Sequence, residues 1–213
     1  MTAADRPGRA VHPIEVESYA IMSSRVDLSR WPTGAREVVA RMIHATADES
    51  FADSALVGDR AVPAMVAALR SGAPVVCDAR MVVAGISGAR ARCYLDRVGP
   101  AEGRATRSEA ALELAASEHP EGALWVIGNA PTALRRLLRL HREGRLDPAG
   151  VVGLPVGYVD AAESKKALWD SPLRDLAVTN AGRRGGSPVA AAAVNALLRL
   201  AAATPDGAYE PPR

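Results

Sequence analysis

Apolar residues in this chain fall into short runs separated by longer stretches of helical periodicity. Five runs predict β-strands: PVVCD (74–78), RCYLD (92–96), LWVIGN (124–129), GVVGLPVG (150–157) and LAVTNA (176–181). Three of the five carry no polar residue on alternate positions, as strands covered on both faces do. Between and around them, apolar spacing predicts helices over 34–47, 60–71, 106–118, 131–143, 161–170 and 187–202. Start signals support these bounds. Thr106 and Glu109 form a T-x-x-E capping box, Ser187 is expected to cap the last helix ahead of Pro188, and Asn129 precedes Ala130 and Pro131. Such alternation predicts a single three-layer α/β/α domain over 13–203, with a mostly parallel sheet of about five strands. Polar, proline-containing tails are expected at 1–12 and 204–213. The segment MVVAGISGARA (81–91), joining the first two strands, is short for a full crossover helix.

Composition narrows the function classes. A net charge of +2 gives no bulk electrostatic drive toward nucleic acid, and an aromatic content of 4% offers no base-stacking platform. Of 26 basic residues, 24 are arginine; Lys165 and Lys166 are the only lysines. A GC-rich genome accounts for such a bias, and so does a ligand with several carboxylates, which guanidinium forks match in a bidentate way. Cys77 and Cys93 are too few for a zinc site or a disulfide framework; their apolar settings predict buried thiols in a reducing compartment. The N-terminus carries no secretory h-region, and no stretch approaches the ~20 apolar residues of a membrane span. A cytoplasmic protein is expected.

In an open parallel sheet, ligands bind beyond the carboxyl ends of the strands. Asp78, Asn129, the LPVGYVDAAESKK turn (154–166) and NAGRRGGSP (180–188) all follow such ends, and the Thr106-Arg107-Ser108 helix start lies between two of them. In GRRGGSP, Gly185 and Gly186 permit positive φ and close backbone approach, Ser187 opens a helix whose free N–H groups suit an anion, and Arg183 and Arg184 add charge. A plain glycine turn before a packing helix explains the stretch equally well. Neither a Walker A loop nor G-x-G-x-x-G is present. Asn129 reads either as a helix cap or as an amide aimed at a ligand; Lys165 and Lys166, beside Ser164, read first as a solvated face. His44 lies beside the packing stripe Val39, Met42, Ile43, Thr46, on a line with Glu37, Ala40 and Ala47. The two alanines leave a shallow depression for a flat, bulky molecule. A lone helical histidine is more often structural, and His12, His119 and His141 read as surface residues.

Seven stretches in series resemble the precorrin-8X methylmutase family of cobalamin biosynthesis: ESYAIM (17–22), RMIHA (41–45), GAPVVCDARMVVAGI (72–86), TRSEAALELA (106–115), VIGNAPTALRRLL (126–138), VGLPVGYVDAAESKKAL (152–168) and GRRGGSPVAAAAVNALL (182–198). The resemblance spans about residues 13–200. It implies a cofactor-free, metal-free isomerase that moves a methyl group from C11 to C12 of the tetrapyrrole precorrin-8X, giving hydrogenobyrinic acid. It implies His44 as catalytic acid toward a ring nitrogen, and a homodimer with substrate near the subunit interface. Ser18 and Arg107 match substrate contacts of the family; Asn129, Ser164, Lys165, Arg183, Gly185, Gly186 and Ser187 are added as substrate-binding candidates by position. The chain departs from the family pattern over Ser87–Arg92, where several residues are missing and Arg90 is the substitute for a loop arginine, and at Arg135, which replaces a usual aromatic. Alternatives are the cobalt-precorrin-8 form of the reaction, a non-catalytic corrinoid carrier handing its cargo to neighbouring pathway enzymes, and an unrelated α/β protein taking a phosphorylated ligand at GRRGGSP. No nucleic-acid or membrane partner is expected.

Overall fold

A computed structural model describes residues 12–100 and 105–203. Both expected tails therefore lie outside the described residues, apart from His12. In chain order the elements are α1 (Pro13–Arg25), α2 (Thr33–Thr46), α3 (Phe51–Ser54), β1 (Ala55–Val57), α4 (Ala61–Arg70), β2 (Val75–Cys77), α5 (Arg80–Gly85), β3 (Ala91–Cys93), α6 (Arg107–Glu118), β4 (Leu124–Ile127), α7 (Pro131–Arg142), β5 (Gly150–Gly153), α8 (Ala161–Trp169), β6 (Ala177–Asn180) and α9 (Ser187–Ala202). The strands make one six-stranded sheet in the order β1-β6-β5-β4-β2-β3, parallel throughout except for β1 against β6.

Strand side chains alternate between two cores, which is why the runs read as continuously apolar. Val75, Cys77, Leu124, Val126, Val152 and Val178 pack under α2, α4, α5 and α9. Val76, Trp125, Ile127, Val151 and Ala177 pack under α6, α7 and α8. The sheet between two helical layers is the three-layer α/β/α arrangement the alternation predicts. Among the described residues no helix is long and apolar enough to cross a membrane.

Each of the five predicted strands overlaps an observed one, although 92–96 keeps only Arg92 and Cys93 in β3 before a 3-10 turn at Leu95–Arg97; the sixth, β1, follows directly on α3 without an apolar run of its own. Helices α1 and α5 also escape the pattern. Only Tyr19 and Met22 of α1 are buried, so no continuous stripe marks it. His12 caps it, its Nδ1 accepting from the Ile14 N–H at 3.2 Å. The short 81–91 connection is solved by the six-residue α5, with Ser87 N–H donating to Asn195 Oδ1 at 2.8 Å and Asn195 Nδ2 donating to the Gly85 carbonyl at 2.8 Å. Asn195 thus fastens the shortened segment to α9.

Two caps are corrected. Gly186, not Ser187, caps α9, and Ser187 is its first residue. Ala130, not Asn129, caps α7. The Thr106–Glu109 capping box forms as read, with Thr106 N–H donating to Glu109 Oε2 at 2.7 Å. Cys77 is buried, but Cys93, opposite it on the edge strand β3, is only half-buried.

Candidate active site

His44 sits in the last turn of α2, which ends at Ala47 in a left-handed conformation (φ 51°). Val38, Val39, Met42 and Ile43 bury the neighbouring face of the helix, which leaves His44 half-buried against α1. Two consecutive residues of α1 hold the imidazole. The Tyr19 ring stacks on it with centroids 4.7 Å apart and planes within 3°. Ser18 Oγ lies 3.0 Å from Nδ1. Among the described residues, Nε2 makes no hydrogen bond.

Burial depresses the His44 pKa below 6.5; the Arg41 and Arg199 guanidiniums push the same way, and the Glu15 carboxylate opposes them. Glu15 serves both arginines, accepting from Arg41 Nη1 at 2.8 Å and from Arg199 Nη1 at 3.3 Å. Arg41 also approaches the Tyr19 hydroxyl at 3.5 Å. The imidazole is therefore a mainly neutral group at neutral pH, fixed in rotation by a stack and a hydroxyl.

Beyond Tyr19 lies a cavity of about 360 Å³ between α1, α2 and α9. Met22, Val26, Leu28 and Ala196 give it apolar walls, and Arg36, Glu37, Arg41 and Arg199 supply charge. Ala40 lines it as the helical wheel places it, but His44 does not; Tyr19 is the shared wall. Burial raises the Glu37 pKa to about 7.

The carboxyl edge of the sheet joins this region through an ion pair. Arg184, in the loop after β6, binds the Asp48 carboxylate at 2.6 and 2.7 Å, four residues past His44, and also contacts Ser50 Oγ. Gly185 and Gly186, at φ 156° and 123°, bring that loop against β5, and the Gly186 N–H donates to the Leu154 carbonyl at 2.8 Å. A Cβ on Gly185 would meet the Leu154 carbonyl oxygen at 2.3 Å. Ser187 is buried beneath this turn.

Several candidates are placed differently from the expected role. Ser164 is buried and its hydroxyl donates to the Ala161 carbonyl at 3.2 Å, so it presents no atom to a ligand. Lys165 is not on a solvated face: it is 1% exposed, and its Nζ donates to Asn180 Oδ1 at 2.9 Å and to the Arg184 carbonyl. Desolvation lowers its pKa to about 8. Only Lys166 faces solvent, paired with Asp170. At the start of α7 the backbone N–H groups that suit an anion are already occupied. Gly128, Asn129 and Ala130 donate to the buried Asp78 carboxylate at 2.9, 2.9 and 2.6 Å. The Asn129 side chain remains exposed at this edge, as do Arg107, which donates to the Leu95 carbonyl at 2.8 Å, and Arg183, whose guanidinium lies 5.7 Å over the Tyr158 ring.

Tyr19, Glu15, Arg41 and Arg199 are the site residues that residue-by-residue reading missed. Arg41 stands one turn before His44, a visible signal; Glu15 and Arg199 are 184 positions apart, and nothing local connects them. Arg90 is exposed, while Arg135 clamps the start of α8, with Nε 3.0 Å and Nη2 2.6 Å from the Asp160 carboxylate. Among the described residues no group of three or more His, Cys, Asp or Glu side chains stands ready for a metal ion.

Comparison with known proteins bears on the family of the chain. The precorrin-8X methylmutase family profile matches residues 13–200. A precorrin-8X methylmutase from a Sinorhizobium species is 40% identical over 204 residues, covering 91% of this chain and 95% of the relative. A cobalt-precorrin-8 methylmutase from Salmonella typhimurium is 40% identical over 202 residues, covering 87% and 93%. Among solved structures, a precorrin-8X methylmutase from Thermus thermophilus superposes with a TM-score of 0.79 at 34% identity, covering 88% of this chain and 95% of that one. With family profile, relatives and fold in agreement over nearly the whole described chain, this protein belongs to the precorrin-8X methylmutase family.

Proposed function

We propose that this chain is a cytoplasmic, homodimeric isomerase that moves the methyl group of precorrin-8X from C11 to C12, giving hydrogenobyrinic acid, with His44 as the acid. The observation that carries the reading is the fixed imidazole. In this reading the Ser18 hydroxyl, 3.0 Å from Nδ1, donates to it, so the proton of a neutral ring sits on Nε2, the nitrogen free for a substrate. Donation from Nε2 to a ring nitrogen beside the migrating centre withdraws electron density from the conjugated system. The C11–methyl bond then breaks as the C12–methyl bond forms. Substrate and product are isomers, so the step needs no oxidant and no methyl donor, and the Nε2 proton stays on the imidazole, shared with the ring nitrogen as a hydrogen bond that strengthens while the methyl group moves.

Ser18 also contacts the substrate in this reading. Exposed Arg107 and Arg183 pair with carboxylate arms at the sheet edge, and the Asn129 amide adds a polar contact. Gly185, Gly186, Ser187 and Lys165 act beneath them, holding the loop that carries Arg183, and Ser164 is buried in α8 next to Lys165. Apolar Val156, Tyr158, Val159 and Met81 are exposed around the same strand ends, a surface suited to a macrocycle face or a second subunit.

Replacing His44 with alanine is expected to reduce precorrin-8X turnover by at least 100-fold, the lower range for a proton donor, while hydrogenobyrinic acid still binds. Absorbance spectra follow both. Near-parental turnover would sink the assignment. Relatives include both precorrin-8X and cobalt-precorrin-8 methylmutases, so the same assay run with metal-free and cobalt-bearing substrate identifies the native form. A protein that binds both and converts neither would be a carrier.

A further inference from the structure

The cavity between α1, α2 and α9 is left unused by the chemistry at His44. Its volume of about 360 Å³ is too small for a tetrapyrrole with its acid arms but ample for one arm. Three guanidiniums and three carboxyl groups meet here, but they are unevenly paired. Arg41 and Arg199 share the single Glu15 carboxylate, at 2.8 and 3.3 Å, and both line the cavity. Arg36 adds a third guanidinium, which among the described residues donates to the Trp31 carbonyl, at 3.2 Å. The acids that face them are Asp27, whose carboxylate accepts from the Ser29 N–H and hydroxyl, and Glu37. Position matters as much as charge: Tyr19 covers one face of His44 and also lines the cavity, so one ring separates the two.

We propose that this cavity receives one carboxylate-bearing arm of the macrocycle, held by Arg199 and Arg41 with Arg36 at the mouth, while the ring bearing the migrating methyl lies against His44. Apolar Met22, Val26, Leu28 and Ala196 contact the methylene stem of the arm. Glu37, with its pKa near 7, adds an O–H donor when protonated. The cavity thus acts as an anchor for one edge of the macrocycle, away from the reacting atoms. This inference rests on the reading of the chain as a methylmutase.

Two variants test it from different directions. Arg199→Gln removes one guanidinium and leaves the Arg41–Glu15 pair, whereas Ala196→Met fills the cavity and leaves every charge. Each is expected to raise KM for precorrin-8X about tenfold with kcat little changed, since binding away from the reacting atoms is uniform across the step. Circular dichroism checks that both fold, and Arg142→Gln, on the exposed end of α7, serves as the charge control with parental kinetics. Amidating the arms of hydrogenobyrinic acid is expected to cost the Arg199→Gln variant about tenfold less affinity than it costs the parent. Parental KM in both folded variants overturns the pocket and leaves the isomerase reading intact. An effect of Ala196→Met alone overturns the carboxylate assignment, because the occupant is then an uncharged edge. A parent protein that neither binds nor converts the macrocycle removes the isomerase reading and this inference together.

Discussion

Glu37 illustrates how a single buried position sets a pH dependence. Its carboxyl titrates at about 7 in the folded chain against 4.5 in a free side chain, because burial disfavours the charged form. The folded state therefore binds more protons between those values. Stability from this group is intact at low pH, declines as pH rises through the window, and is lowest above about 7. Glu37→Gln is expected to stabilise the protein by roughly 1 kcal/mol near pH 8, after discounting for its solvent exposure, and to change little near pH 5. Paired urea melts at the two pH values measure this; equal effects at both would show that the carboxyl is not perturbed. His44 works in the opposite sense on the pH axis. Its pKa is lowered by burial, so the unfolded chain holds the proton better, and the cost to stability appears only below about 6.5.

At the scale of elements, the loop after β6 ties the layers together. Lys165 of α8 binds its backbone at Arg184, Gly185 lies against the β5 end, and the Arg184 side chain reaches the end of α2. Gly185→Ala places a Cβ 2.3 Å from the Leu154 carbonyl oxygen and 2.6 Å from that of Pro155, both backbone atoms that give way only if the loop moves. The expected cost is about 2 kcal/mol or more, a fall of several degrees in Tm for a chain of this size. A parental melting curve would mean the loop relaxes freely. The Thr106 cap offers a milder case: Thr106→Ala removes one side of the capping box and its 2.8 Å contact to Thr132, with about 1 kcal/mol expected in a thermal or urea melt.

Over the whole molecule, exposed apolar side chains collect in two places. Ile14 and Ile21 lie on α1, while Val156, Tyr158, Val159 and Met81 lie near the carboxyl ends of the strands. Such surfaces suit the proposed homodimer. Sedimentation equilibrium is expected to give twice the 22.2 kDa chain mass; a monomer at micromolar concentration would remove the dimer from the functional reading.

Elements with enough residues to show a period were legible in the chain itself. The five long apolar runs, the six regular helices and the capping box at Thr106 all follow from local chemistry, because burial and hydrogen bonding impose a spacing of 2.0 or 3.6 on neighbouring residues. The histidine, the serine and the glycine loop were visible as residues of a known pattern. Tertiary structure alone decided how they are used. Asp78 fills the N–H groups that open α7 from 50 residues away, Lys165 turns inward to meet Asn180, and Glu15 balances an arginine 184 positions downstream. Contacts of that span leave no periodic trace. They depend on which sheet edge and which helix face the folded chain brings together, and electrostatic balance at His44 arises only there.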